Sequence, residues 1–322
     1  MKNIETDSNN SDSSYELHDD ENGDIYIEKN DKKIYPVYNE NNFYITKEII
    51  QSILEKGNIH NKINDISIWQ KAFTHKSYYY KNDFIKNEKF FGSINSININ
   101  LPENKHIMPL QKDSNEVIEW LGDGIIQSIV AIYLYKRYSN QTEGFLTKIR
   151  SKLVKTETLS KLALFLNFDK YIIISKHIEI ICNGRKNSRI LEDSFEAFIG
   201  AMFTDFSSIH GEAEATNICS NFFINIIEQK IDITELIIND DNFKDQLMRY
   251  YQKKYNGKFP KYEQKTIIQY TNDNGITNKK FHMFVRDTDN NIIGEGIARS
   301  KKEAEQIAAK KALQYFGISN GF

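Results

Sequence analysis

The run NEVIEWLGD at Asn115–Asp123, continuing directly into GIIQSIVAIYLYKRY, constrains the fold of this chain more than any other feature. Its apolar residues recur at three and four, the repeat of an amphipathic helix. At about 100° per residue, Glu116, Glu119 and Asp123 fall within a roughly 60° arc, and Val117, Ile118, Leu121, Ile125 and Ile129 lie on the other side, the expected core face. Acids at this spacing are ordinarily a solvated helix face. Here no Lys or Arg stands four residues on to pair with them, and the flanks are too apolar for a helix that simply faces water. Gathered carboxylates repel and are expensive to desolvate unless a cation is shared between them, and hard divalent ions with oxygen ligands, Mg²⁺ first, are the natural compensation.

A second acidic pair stands in LEDSFEAFIGAM (191–202), where Asp193 and Glu196 are three apart and Leu191, Phe195, Phe198 and Met202 occupy the opposite face. Between the two runs, Phe145, Ile149 and Leu153 mark a third helical pattern. Thr142 is placed to cap it, and Glu143 stands in the favourable first turn.

With 322 residues, 40% of them hydrophobic, the chain can bury two separate cores. Its net charge of −2 argues against a polyanionic partner only until it is divided by region. Residues 1–28 hold nine Asp and Glu against Lys2 alone, with Ser and Asn between them, so residues 1–45 are expected to be an acidic, largely disordered extension. Residues 241–315 instead hold fifteen Lys and Arg against nine Asp and Glu. From 46 to 230 the pattern is mostly helical and without internal repeat, and a polar, acidic stretch at 231–241 reads as the boundary. Cys182 and Cys219 make neither a CxxC knuckle nor a disulfide framework. Together with an acidic N-terminus where a signal peptide would be basic and then apolar, this leads us to expect a soluble intracellular, cytoplasmic protein with no membrane segment. Neither a P-loop nor a dinucleotide fingerprint is present, so no nucleotide cofactor is expected, and the spacing of the seven histidines argues against zinc.

In this order the motifs resemble those of the ribonuclease III family. NEVIEWLGD is similar to its signature, EGFLTKIRSKLV (143–154) to the helix that follows, EDSFEAFIGAMF (192–203) to its second acidic motif, and AFTHKSY (72–78) to a segment upstream. The resemblance implies an all-α endonuclease domain over 46–230. Its metal-coordinating acids fall on Glu119, Asp123, Asp193 and Glu196, with Glu116 and Glu143 as supporting acids near the site. It implies Mg²⁺, with Mn²⁺ as a substitute, activating a water and stabilising the leaving 3′ oxygen, to give 5′-phosphate and 3′-hydroxyl ends with short 3′ overhangs. It further implies a homodimer with one site for each strand, in which Trp120, standing where the family usually has Phe, inserts into the partner subunit. The segment 79–114 departs from the family in being much longer than the usual connection, and loops of such length are commonly functional or disordered.

Residues 241–316 read as a helix (242–255), a turn, strands at 265–270, 281–287 and 291–298 with a polar loop at 271–280, and a helix from Ser300. This α-β-β-β-α order resembles a double-stranded-RNA-binding domain, and RSKKEAEQIAAKKAL (299–313) is its most specific part. Ser300 and Glu303 form a capping box, while Lys301 and Lys302 occupy a first turn where the dipole disfavours cations unless an anion is present. With Arg299, Lys279 and Lys280 they are the expected RNA-binding residues. They would grip phosphates, with affinity falling by roughly 0.7–0.9 log units per log unit of salt for each phosphate neutralised. Met248, Arg249 and Thr277 stand where such domains often carry groove-edge contacts, so little sequence preference is expected.

The expected protein is therefore an all-α ribonuclease III-like endonuclease domain followed by a small α+β double-stranded-RNA-binding domain, cutting duplex RNA with Mg²⁺ in RNA processing. A catalytically idle duplex-binding protein is the alternative, and loss of a site acid would be its mark; none is missing. A helical phosphohydrolase of small nucleotides would leave the basic module without a purpose.

Overall fold

The structure, a computed structural model, describes residues 17–21, 25–29, 32–35, 37–79, 108–238, 242–255, 258–271 and 277–318. It divides into two units, 1–231 and 232–322, close to the boundary marked by the shift in composition.

The first unit opens with an antiparallel sheet of β1 (Leu17–Asp19), β2 (Ile25–Lys29) and β3 (Lys32–Ile34), paired in sequence order. Helices α1 (Lys47–Lys56), α2 (Ile66–Ala72), α3 (Glu116–Arg137), α4 (Glu143–Leu153), α5 (Thr156–Phe165), α6 (Lys176–Cys182), α7 (Ser188–His210) and α8 (Glu212–Lys230) follow. Several start where a side-chain oxygen takes an otherwise unpaired N–H: Thr46 accepts from Ile49, Asp65 from Ser67, Thr142 from Phe145 and Ser175 from Ile178. Thr142 thus caps α4 as its position in the sequence predicts.

The core is built around α7. We expected an amphipathic helix here, but α2, α3, α5 and α8 all pack on it and it is buried on nearly every side, from Ile190 to Phe206. Phe198 meets Trp69 edge-on at 5.0 Å and Phe222 at 5.5 Å, and Phe168 meets Phe73 at 4.9 Å. The buried Asp205 carboxylate accepts from the Asn64 and Asp65 backbone N–H groups and from Trp69 Nε1, tying the start of α2 to α7.

The expected disorder up to residue 45 is not what the described residues there show: β1, β2 and β3 pair within 17–34, and residues 37–45 are packed. Val37, Asn39, Asn42 and Ile45 are buried, and this strap is sewn to the segment around α6. Asn39 and Asn42 each donate to the Ile174 carbonyl, and Lys176 Nζ donates to Glu40 at 2.7 Å. Arg185 closes the contact by donating to the Asn41 and Ile172 carbonyls and to the Asn42 and Glu179 side chains. The strap was misread because its buried positions include asparagines, whose burial depends on partners distant in sequence. Residues 1–16 lie outside the described residues, as do 80–107 of the long segment 79–114. The ends of that segment are pinned: Tyr78 OH donates to the Met108 carbonyl, Gln111 N–H donates to the Tyr78 carbonyl, and Tyr79 bridges Gln111.

The second unit contains α9 (Ile233–Ile238), α10 (Phe243–Lys254), an antiparallel sheet β4 (Lys261–Thr271), β5 (Thr277–Arg286) and β6 (Ile292–Ala298), and α11 (Lys301–Tyr315). Leu247 and Tyr251 of α10, Val285 and Ile293 of the sheet, and Ala308, Ala312 and Leu313 of α11 form its core. β4 and β5 run longer than expected, so Lys279 and Lys280 belong to β5 and not to a loop.

Candidate active site

Two glycines decide where the acids meet. A Cβ on Gly122 of α3 would stand 1.8 Å from the Glu196 carbonyl oxygen of α7, and one on Gly200 of α7 would stand 2.2 Å from the Ile118 carbonyl oxygen of α3. The helices therefore cross backbone against backbone. Glu119 lies one turn before Gly122 and Asp123 directly after it; Glu196 is itself at the crossing and Asp193 is one turn before it. The burial pattern explains why acids face this way. The buried face of α3 is Gly122, Ile126, Ile129, Val130 and Leu134, which borders the acidic arc. Of the five residues expected to form the core face only Ile129 is buried, and Val117 is 73% exposed.

The electrostatics are those of an under-neutralised cluster. Glu196, 8% exposed, is pushed up to about 8 by burial and then by Asp123, Glu192, Glu119 and Asp193. Glu119 is pushed up to about 7, first by burial and then by Asp193. Asp193 is raised by burial, against the opposing pull of Lys76 and Arg189, and Glu192 is likewise raised by burial. Asp123 accepts from Gln127 Nε2 at 3.1 Å.

A cavity of about 150 Å³ is lined by His75, Lys76, Asn115, Glu116, Glu119 and Asp193. Sequence reasoning noted the segment 72–78 without assigning it a place in the site. Its backbone is fixed there because Asn115 N–H donates to the Thr74 carbonyl, His75 N–H to Ile173, and Ser175 N–H to Ser77 Oγ. The buried His75 ring accepts from Ser77 N–H at Nδ1, which leaves its proton on Nε2, and burial with the Lys76 charge brings it down to about 4. Glu116 accepts from Ser114 Oγ and from Lys76 Nζ, the latter at 3.3 Å.

Glu143 is not near this site within one chain. It accepts from Thr147 Oγ1 and lines a separate, mostly apolar groove of about 630 Å³ with Ala131, Ile132, Tyr135 and Leu146. That groove lies 8–12 residues beyond Asp123 along α3, roughly 12–18 Å at the helical rise. Trp120 is 78% exposed and continues with Val117, Ile132 and Tyr135 as an apolar face of α3 turned away from α7. Among the described residues α3 is the one helix long and apolar enough to cross a membrane, and its composition is accounted for by this face together with the core face.

Whether the acids suit a metal is answered by their chemistry. All are hard oxygen donors, and Glu119, Asp193 and Glu196 are raised by burial and by neighbouring carboxylates, the state that a divalent cation relieves. Among the described residues no three His, Cys, Asp or Glu side chains are already closed around a metal position. The helix crossing brings the acids near one another without closing such a position. A linkage test follows. Because Glu119 and Glu196 bind protons more tightly folded than unfolded, metal-free stability falls as pH rises from about 4.5 to about 8, with Glu116, Asp123, Asp193 and Glu192 adding repulsion and Lys76 and Arg189 opposing it. Thermal unfolding should show Mg²⁺ raising the midpoint markedly at pH 8 and little at pH 5; equal stabilisation at both would contradict the account.

In the second unit the Ser300 side chain accepts from Glu303 N–H, and Arg299, Lys301 and Lys302 are exposed at the start of α11, as is Lys279 on β5. Lys280 is half-buried. Arg249 pairs with Asp245 within α10 at 2.9 Å.

A helical unit presenting carboxylates from two crossing helices, joined to a small α-β-β-β-α unit with basic residues at a helix start, defines a nuclease of duplex nucleic acid. Comparison with known proteins narrows the class. The family model described as the Ribonuclease III domain matches residues 116–207, and that of the double-stranded RNA binding motif matches 243–316. "Ribonuclease 3" of Streptococcus gordonii is 30% identical over 250 residues, 78% of this chain and 90% of that protein. "Probable ribonuclease 3" of Acanthamoeba polyphaga mimivirus is 32% identical over 288 residues, 89% of this chain, which spans 48% of that longer protein. The nuclease domain of ribonuclease III from Campylobacter jejuni aligns with 58% of this chain and 99% of its own, at 24% identity and a TM-score of 0.41. The chain belongs to the ribonuclease III family, the endoribonucleases of double-stranded RNA.

Proposed function

We propose that the chain acts as a divalent-metal-dependent, homodimeric endoribonuclease in RNA processing, leaving 5′-phosphate and 3′-hydroxyl ends with short 3′ overhangs. Glu119 and Asp123 of α3 with Asp193 and Glu196 of α7 are the residues that would hold the metal, Mg²⁺ first and Mn²⁺ in its place. Bound there, it would supply an acidified water and charge to offset the leaving oxygen. The observation that carries this reading is the α3–α7 crossing at Gly122 and Gly200, which sets these carboxylates together in a desolvated place. Glu116, held by Ser114 and Lys76, borders them as a supporting acid. On the second unit, Arg299, Lys301 and Lys302 at the start of α11, with Lys279 and Lys280, would take RNA phosphates, since the helix N-terminus adds its own donors to their charge.

Long duplex RNA incubated with the protein and Mg²⁺ tests this, beside single-stranded RNA of the same sequence. Cleavage of the duplex to 5′-phosphate ends is expected; binding without cutting would overturn the nuclease assignment, and equal cutting of single strands would overturn the substrate.

The dimer rests on the exposed apolar face of α3 and the adjoining groove. An aromatic such as Trp120 at the middle of an interface typically contributes at least about 2 kcal/mol. Sedimentation should find the parent chain dimeric at micromolar concentration and Trp120→Asp at least about 30-fold weaker in association. A parent that sediments as a monomer removes the dimer from the proposal.

A further inference from the structure

We propose that Lys76 has two partners in turn: Glu116 in the free enzyme, and a phosphate of the strand being cut once cations neutralise the neighbouring acids. This rests on the nuclease reading and adds a substrate-contacting residue from outside the acidic motifs.

Lys76 Nζ lies 3.3 Å from Glu116 Oε1, and the residue lines the same cavity as Glu119 and Asp193. Its backbone is immobilised. Lys76 begins the 3-10 turn Lys76–Tyr78, whose first N–H groups are capped by His75 and whose end is anchored by the buried Tyr78. Thr74 bridges Ile173 on one side and accepts from Asn115 N–H on the other. The side chain, by contrast, is 54% exposed, so the ammonium can swing while its root stays fixed beside the acids.

Charge gives the swing a direction. With the acids bare, the nearest anions to Lys76 are the carboxylates, and it opposes the repulsion that Glu119 and Asp193 feel. With divalent cations among the carboxylates, an ammonium at the same rim is repelled, while a phosphodiester laid across the rim is an anion without a fixed partner. The ordinary reading of a half-exposed Lys–Glu contact is a surface ion pair contributing about 0–1 kcal/mol. That reading predicts that removing the charge changes neither metal binding nor cutting appreciably.

The two readings separate on a measurement that needs no RNA. In the full-length chain, Lys76→Met keeps an unbranched side chain one atom shorter and removes its charge, and Lys76→Arg keeps the charge. Without a cation at the rim, Mn²⁺ titrated alone and followed by electron paramagnetic resonance should bind Lys76→Met about 3- to 10-fold more tightly than the parent. Single-turnover cutting of long duplex RNA in saturating Mg²⁺ should fall about 10- to 100-fold in the same variant, and Lys76→Arg should restore it to within about threefold. Tighter metal with slower cutting is the signature, because a structural lesion would weaken both. Mn²⁺ binding that is unchanged or weaker in Lys76→Met, or cutting within threefold of the parent, overturns the proposal. Lys76→Gln repeats the test if the methionine variant unfolds early. Should the unmodified chain fail to cut duplex RNA, the nuclease reading fails by itself, and the Mn²⁺ arm still reports on Lys76.

Discussion

Glu196→Gln should all but abolish cutting while making the metal-free protein more stable. A loss of at least about 10³-fold in kcat/KM is expected, equivalent to about 4 kcal/mol of transition-state stabilisation, the scale on which a metal ligand contributes. Duplex affinity should change little, because the second unit is untouched. The stability gain has the opposite sign for a definite reason. The Glu196 carboxyl is almost fully buried among Asp123, Glu192, Glu119 and Asp193 and held up to about 8, so keeping it ionised at pH 8 costs on the order of 4 kcal/mol, and the neutral amide removes that cost. Chemical denaturation in chelator at pH 8, beside single-turnover kinetics in Mg²⁺, measures both. A variant that is inactive and also less stable without metal would show that Glu196 is held for packing and not for charge.

Gly122→Ala carries the second large effect. Its added methyl would overlap the Glu196 carbonyl oxygen at 1.8 Å, a backbone atom that cannot rotate away. The helices must separate or slide, with an expected loss of about 3 kcal/mol or more, at the upper end of overpacking in cores. Activity should fall at least about 100-fold even where the variant remains folded, since displacement of reacting groups by about 1 Å has that effect. Gly144→Ala is the control. Nothing stands within 4 Å of the Cβ it would add on α4, so it should be neutral or slightly stabilising. If Gly122→Ala cuts and melts like the parent, the close crossing is not what assembles the site.

What could be read from the residues was local. The three-residue spacing of Asp193 and Glu196, the arc of Glu116, Glu119 and Asp123, and the Thr142 cap follow from helical periodicity, and the structure keeps them. The element order of the second unit follows from alternating strand and helix patterns. What failed depended on partners far along the chain. The wheel of α3 put the core opposite the acids because apolar residues lie there, yet of those residues only Ile129 is buried, Ile118, Leu121 and Ile125 are half-buried and Val117 is exposed, and the acids border the buried face. The segment of His75 and Lys76 is recognisable by its resemblance but has no place in the site from sequence alone, because it lies some forty residues before Glu116 and is linked to it through the backbone of Thr74 and Asn115. Glu143, matched by motif to the site, lies along a different groove of its own chain. The strap at 37–45 is asparagine-rich, and partners distant in sequence, among them Arg185, Lys176, Glu179 and the Ile174 carbonyl, make the burial of its polar groups favourable.

The pinned ends of the segment after Tyr79 have a consequence for how this chain can vary. Tyr78, Tyr79, Met108 and Gln111 join the departing and returning chain within a few residues of Lys76 and Glu116. In general the entropic cost of closing a stretch of chain at such a stem rises only with the logarithm of its length, about 0.6 kcal/mol for each doubling. Length between residues 79 and 108 is thus nearly decoupled from the geometry of the acids. New chain can be inserted or removed there, within a few residues of Lys76 and Glu116, with the stem insulating the acids from the change.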